Sequence, residues 1–147
     1  MGSLMSKRHE RERGANLVEF ALIAPLLLMI VFGIIDFGWI ISQQQDVRHG
    51  AREAARLAAV STADGATMAA TVCDSMQVSA GATVTFNRSG GDIGDTGAIT
   101  LVAPVASLTG FNSLPFVGAL YPVSFTESLD FRMEQVATWS NGSGGTC

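Results

Sequence analysis

The chain has 147 residues, a formal net charge of −4, and 48% hydrophobic against 15% charged residues, with a mean hydropathy of +0.32. That is room for one domain, or one domain plus an anchor, in a membrane or another very apolar setting. Lys7, Arg8, Arg11 and Arg13 crowd the start, whereas seven acids and two bases follow Val60, and so acidic a remainder argues against nucleic acid as a partner, because phosphate binding needs a basic patch.

Residues 1–14 form a basic leader. No charged residue occurs from Phe20 to Ile35, and with Asp36 admitted the apolar run reaches Ile41. A helix of residues 20–41 is about 33 Å long, close to the ~30 Å of a bilayer core. The run is longer than the apolar region of a secretory signal, and the next small-residue stretches lie among Arg48, Arg52 and Arg56, so an uncleaved span is expected rather than a signal peptide. The positive-inside rule keeps the N-terminus cytoplasmic and exports the rest. Pro25 removes one helix hydrogen bond and can kink the span. Asp36 has two readings, a carboxylate reaching the interface or one facing a partner helix, since a charge against hydrocarbon is disfavoured.

Residues 42–60, SQQQDVRHGAREAARLAAV, are rich in helix formers and continue the helix beyond the membrane. Arg48, Arg52 and Arg56 make one stripe, read either as a solvated face or as a contact for acids on neighbouring copies. Ala51, Ala54, Ala55, Ala58 and Ala59 make a small-residue face that lets another element approach closely. Glu53 can pair with Arg56 at i+3. Gly50 weakens the helix without necessarily breaking it.

STADG (residues 61–65) reads as a turn with Asp64 as N-cap, and residues 66–76 as a short helix. Residues 82–88 alternate as a strand. SGGDIGDTG (89–97) is a turn-rich connection, residues 98–108 hold a second strand ended or edged by Pro104, 109–120 form an apolar loop or short helical piece, and 123–137 hold the last strand. SNGSGGTC (140–147) is a flexible tail unless Cys147 is bonded. The fold class is therefore α+β: a long N-terminal helix over 15–60, half transmembrane and half amphipathic, then an exported head over 61–147 with about three antiparallel strands and a short helix. Three strands need such a helical cover to be stable.

Cys73 and Cys147 both follow the span. An oxidising compartment favours a disulfide between them that would clamp the tail; two separate thiols are the alternative. The only histidines, His9 and His49, lie outside the head, so a His-based triad or general base is not expected there. The head has no zinc-spaced cluster, its Asp92–Asp95 turn has too few spaced oxygens for a calcium loop, and its glycines are not followed by a phosphate-loop lysine. No catalytic, cofactor-binding or metal residue is expected, no cofactor, and no enzymatic activity.

RGANLVEFALIAPLLLMIVFGIIDFG (13–38) followed by AREAAR (51–56) resembles the TadE-like family of tight-adherence (Tad, or Flp) pilus assembly proteins. The resemblance is close over residues 13–60; in the head it is loose, carried by ITLVAPVASLTG (99–110) and FRMEQ (131–135). It implies a pilin-like layout and a minor pilin or pseudopilin that supports assembly or initiation of a type IVb-like pilus. It implies cleavage by a prepilin peptidase between Gly14 and Ala15, with Glu19 and Phe20 completing the processing and assembly motif. Cleavage would give Ala15 a new, mostly protonated α-amine. Glu19 at the membrane mouth could pair with that amine, on its own chain or a neighbour's, which lowers the cost of a carboxylate in low dielectric. The partners implied are the membrane, the peptidase, other Tad pilins and pseudopilins, and inner-membrane assembly proteins. The location implied is the bacterial cytoplasmic membrane, single-pass, or the pilus itself. The competing expectation is an unprocessed, membrane-anchored exported scaffold or binding protein, which needs neither Gly14 nor Glu19.

Overall fold

The computed structural model describes residues 3–147, with side chains described from Gly14 onward, that of Phe111 excepted. The leader's basic side chains, Lys7 to Arg13, lie outside that range. The first helix, α1 (Ser3–Val60), runs through Pro25 without a break. From Gly14 to Ile35 it is almost wholly exposed. Its most apolar 18-residue stretch has a mean hydropathy of 2.6 and none of it is buried, so α1 is long and apolar enough to cross a membrane. An apolar surface with no protein over it is what lipid, rather than a cytosolic core, accommodates.

The second half of α1 carries a continuous buried face: Asp36, Ile40, Gln43, Val47, Ala51, Ala54 and Ala58. These positions recur three or four residues apart, the spacing of one helix face. The alanines bring the helix close to the sheet. Gly50 lies in the same face, where a Cβ would meet Met76 Sδ at 2.7 Å and Leu101 Cδ1 at 3.2 Å. The helix therefore tolerates Gly50 because the head needs the space.

After α1, Asp64 caps α2 (Gly65–Ser75) by accepting from the Thr67 N–H at 2.8 Å. Four strands follow: β1 (Thr83–Arg88), β2 (Thr96–Pro104), β3 (Ser124–Arg132) and β4 (Ser143–Thr146). They form one sheet in the order β3-β2-β1-β4 with every neighbouring pair antiparallel. Val84 and Phe86 of β1 and Ile99, Leu101 and Ala103 of β2 point inward, while Thr83, Asn87 and Thr100 alternate onto the other, more open face. Such one-sided burial is normal for an antiparallel sheet. α1 covers β2 and β3, and α2 packs on β4. Trp139 closes the core, tilted against Phe86 and Phe131, with the Arg88 guanidinium over its ring at 5.3 Å.

The α+β, pilin-like layout stands, with corrections. The sheet has four strands rather than about three, because residues 143–146 pair with β1 instead of forming a loose tail. SGGT has no alternation and only one β-branched residue, Thr146, so its pairing is invisible locally. It is held by Cys147, whose N–H donates to Ala82 O at 2.7 Å and whose side chain is joined to Cys73 of α2, with the two Cα atoms 5.3 Å apart. The glycines fit because there is little room: a Cβ on Gly144 would overlap the Val84 carbonyl. The second strand starts at Thr96 and stops at Pro104, and the third ends at Arg132. Between β2 and β3, the apolar segment contains two single turns of 3-10 helix, Phe111–Ser113 and Gly118–Leu120.

Candidate functional site

Two regions of α1 carry the residues of interest. At its start, Gly14, Ala15, Glu19 and Phe20 are all helical and exposed, beyond the reach of the head. A Cβ added to Gly14 would meet nothing within 4 Å. The fold of the single chain therefore gives no reason for a glycine there, in contrast to Gly50. Cys73 and Cys147 lie on the head, on α2 and just after β4, and form no common site with Glu19.

The second region is the foot of the head. Asp36 is fully buried, and its carboxylate is held by the head of its own chain. Oδ2 accepts from the Ser107 hydroxyl at 2.8 Å and the Tyr121 hydroxyl at 2.7 Å. Oδ1 accepts from the backbone N–H groups of Leu108 at 3.2 Å and Thr109 at 2.9 Å. Neither sequence reading of Asp36 anticipated this. Four donors satisfy the carboxylate's lone pairs, which is how a buried charge is tolerated without a cation beside it.

Two more polar residues continue this attachment up the helix. Gln43 pairs with Ala106 as one strand residue pairs with another: its Nε2 donates to the Ala106 carbonyl at 2.7 Å and its Oε1 accepts from the Ala106 N–H at 3.0 Å. Asp46 accepts from the N–H groups of Gln77, Val78 and Ser79, each at 3.0 Å, in the segment after α2. Burial pushes the Asp46 carboxyl up, but these backbone hydrogen bonds outweigh it and hold the group below its ordinary value. Asp36, Gln43 and Asp46 thus bond the head to α1 at three levels, through loop backbone and, at Asp36, the hydroxyls of Ser107 and Tyr121 as well. Sequence reasoning missed Gln43, Asp46, Ser107, Thr109 and Tyr121. The available signal was periodic: Asp36 and Gln43 are seven residues apart, in phase with Val47, Ala51, Ala54 and Ala58.

The arginine stripe divides. Arg48 Nε meets Glu127 of β3 at 3.0 Å, both side chains partly exposed, and Arg56 meets Glu53 one helical turn away. Exposed pairs of this kind contribute at most about 1 kcal/mol each. Arg52 is exposed, with no acid partner among the described residues. The acid that Arg48 meets belongs to its own chain.

Among the described residues, no group of three or more His, Cys, Asp or Glu could hold a metal ion. No curated protein and no solved structure matches the chain. The family model described as TadE-like protein matches residues 14–56. That stretch runs from the exposed glycine, through the bare apolar half of α1, to the last arginine of the stripe. Residues 14–56 of this chain are similar to TadE-like protein, a likeness that suggests a Tad pilus-associated protein, and the helix they form is long and apolar enough to cross a membrane.

Proposed function

We propose that this protein is a minor pilin or pseudopilin that supports assembly or initiation of a tight-adherence pilus, and that a prepilin peptidase cuts it between Gly14 and Ala15. The observation that carries the proposal is the long apolar stretch of α1, uncovered by its own head and starting at RGANLVEF. A lone anchor needs lipid around such a helix, whereas a fibre subunit needs it free to pack against other helices once extracted.

In this reading the basic leader stays in the cytoplasm and the head is exported, where an oxidising compartment keeps Cys73 joined to Cys147. If Asp36 marks the outer boundary, Glu19 lies 17 residues inward, about 26 Å along the helix. That is roughly one turn inside the inner edge of a ~30 Å core. A carboxylate at that depth needs a partner, and cleavage supplies one in the protonated amine of Ala15. Pairing with the amine of a neighbouring copy would set the axial register of helices in a fibre. The peptidase, other Tad pilins and inner-membrane assembly proteins are the partners this role requires.

The test is the N-terminal mass of the protein recovered from a host carrying the matching peptidase. Loss of residues 1–14 is expected, and Gly14→Leu is expected to accumulate as precursor. An intact N-terminus in the presence of active peptidase would sink the processing claim and leave an unprocessed, membrane-anchored scaffold or binding protein.

A further inference from the structure

The segment between β2 and β3 is unusual for the surface of an exported head. From Thr96 to Thr126 there is no charged residue. Its outer part exposes large apolar side chains: Phe116 at 91%, Val123 at 89%, Leu120 at 78% and Leu108 at 58% of their surface. Isolated exposed apolar residues are ordinary, but a cluster of this kind marks an interaction surface.

The position of the cluster says what covers it. The chain descends along α1 through Ala106, bonded to Gln43, and through Ser107, Leu108 and Thr109, bonded to Asp36. It then forms the two 3-10 turns and comes back to the same level at Tyr121, again bonded to Asp36. The loop thus leaves and re-enters beside Asp36, the buried residue of α1 nearest its N-terminus among the described residues; residues 20–35 beyond it carry no charge and are mostly exposed. Trp39, half-buried, and Tyr121 lie at this level, and such aromatic residues favour the headgroup region of a membrane.

We propose that residues 108–123 form a second membrane contact, a loop that inserts Phe116, Leu120 and Val123 into the outer face of the same bilayer that α1 crosses. The occupant is lipid. The surface is continuous with the apolar flank of α1, and the absence of acids from Thr96 to Thr126 removes the repulsion from anionic headgroups that the rest of the head would meet. The bonds to Asp36 fix the depth of the loop, so the head stands on the membrane on two supports rather than swinging from one helix. The inference rests on α1 being a membrane span.

The experiment uses the full chain in vesicles of phosphatidylcholine and phosphatidylglycerol. Both native cysteines are joined to each other, so an added cysteine takes an environment-sensitive fluorophore alone. Three single variants are labelled: Phe116→Cys in the loop, Ile34→Cys on the bare helix just below Asp36, and Ile93→Cys in the β1–β2 turn at the other end of the sheet. All three native side chains are mostly exposed, so folding tolerates the labels. With lipid brominated near the headgroup end of its acyl chains, quenching at Phe116 is expected within about twofold of that at Ile34, and none at Ile93. Quenching at Ile34 without quenching at Phe116 overturns the loop proposal while leaving the anchor intact. No quenching at Ile34 overturns both. A Phe116 label shielded from water yet unquenched by bromolipid assigns the loop to a protein contact, such as a second copy, and also overturns the proposal.

Discussion

Tyr121 donates its hydroxyl to Asp36 Oδ2 at 2.7 Å across 85 positions of sequence, so the lowest loop of the head and the outermost apolar part of α1 form one bonded unit. Tyr121→Phe removes one of four donors to a buried carboxylate. A hydrogen bond to a charged group contributes about 1.5–3 kcal/mol, and a loss in that range is expected. The measurement is thermal or denaturant unfolding in detergent, with limited proteolysis of residues 107–121 as a local readout. Unchanged stability and unchanged protection would show that this bond does not hold the foot of the head.

Gly97 on β2 stands opposite Phe131 on β3, and a Cβ there would run into the Phe131 ring. Gly97→Ala is expected to cost about 1–3 kcal/mol through overpacking. Combining it with Phe131→Leu is expected to cost less than the two single changes together, because the ring is the obstacle. Urea unfolding followed by Trp139 fluorescence measures both; strict additivity of the two changes would refute the steric explanation.

The Cys73–Cys147 bond closes a separation of 74 residues. A chain-entropy argument gives a loop of this size about 4 kcal/mol of stabilisation. Reduction, or Cys147→Ser, is expected to lower the midpoint of head unfolding and to expose β4 amides to hydrogen exchange before those of β2. Protection of residues 143–146 that survives reduction would mean that α2 and β1 hold β4 without the bond.

Acid should weaken the attachment made by Asp46. Its carboxyl is depressed below the ordinary value of 3.8 by the three backbone donors, so its contribution is complete above about pH 4, the unfolded value, and is lost as pH falls through the lower folded value. Asp46→Asn is therefore expected to be less stable than the parent at neutral pH, with the gap narrowing as pH falls below the ordinary carboxylate value. Unfolding curves across that range check it; a gap independent of pH would assign the loss to geometry instead of charge.

The parts of this protein that are written locally are legible without its packing. The helix over 15–60, the Asp64 cap of α2 and the alternating strands follow from propensity and period. The likeness to TadE-like protein is also local, because it is carried by contiguous residues of α1 rather than by packing, and a Cβ on Gly14 would meet nothing within 4 Å. Asp36 shows the limit of such reading. As a charge in an apolar run it suggested an interface or a partner helix, and only the return of residues 107–109 and 121 to α1 revealed its donors. β4 is the second case: four small residues with no strand signal become a strand because β1 offers an open edge and Cys147 is joined to α2. The tertiary structure alone decided these points, because hydrogen-bond donors and sheet edges from distant parts of the chain meet only once the head has packed on the helix.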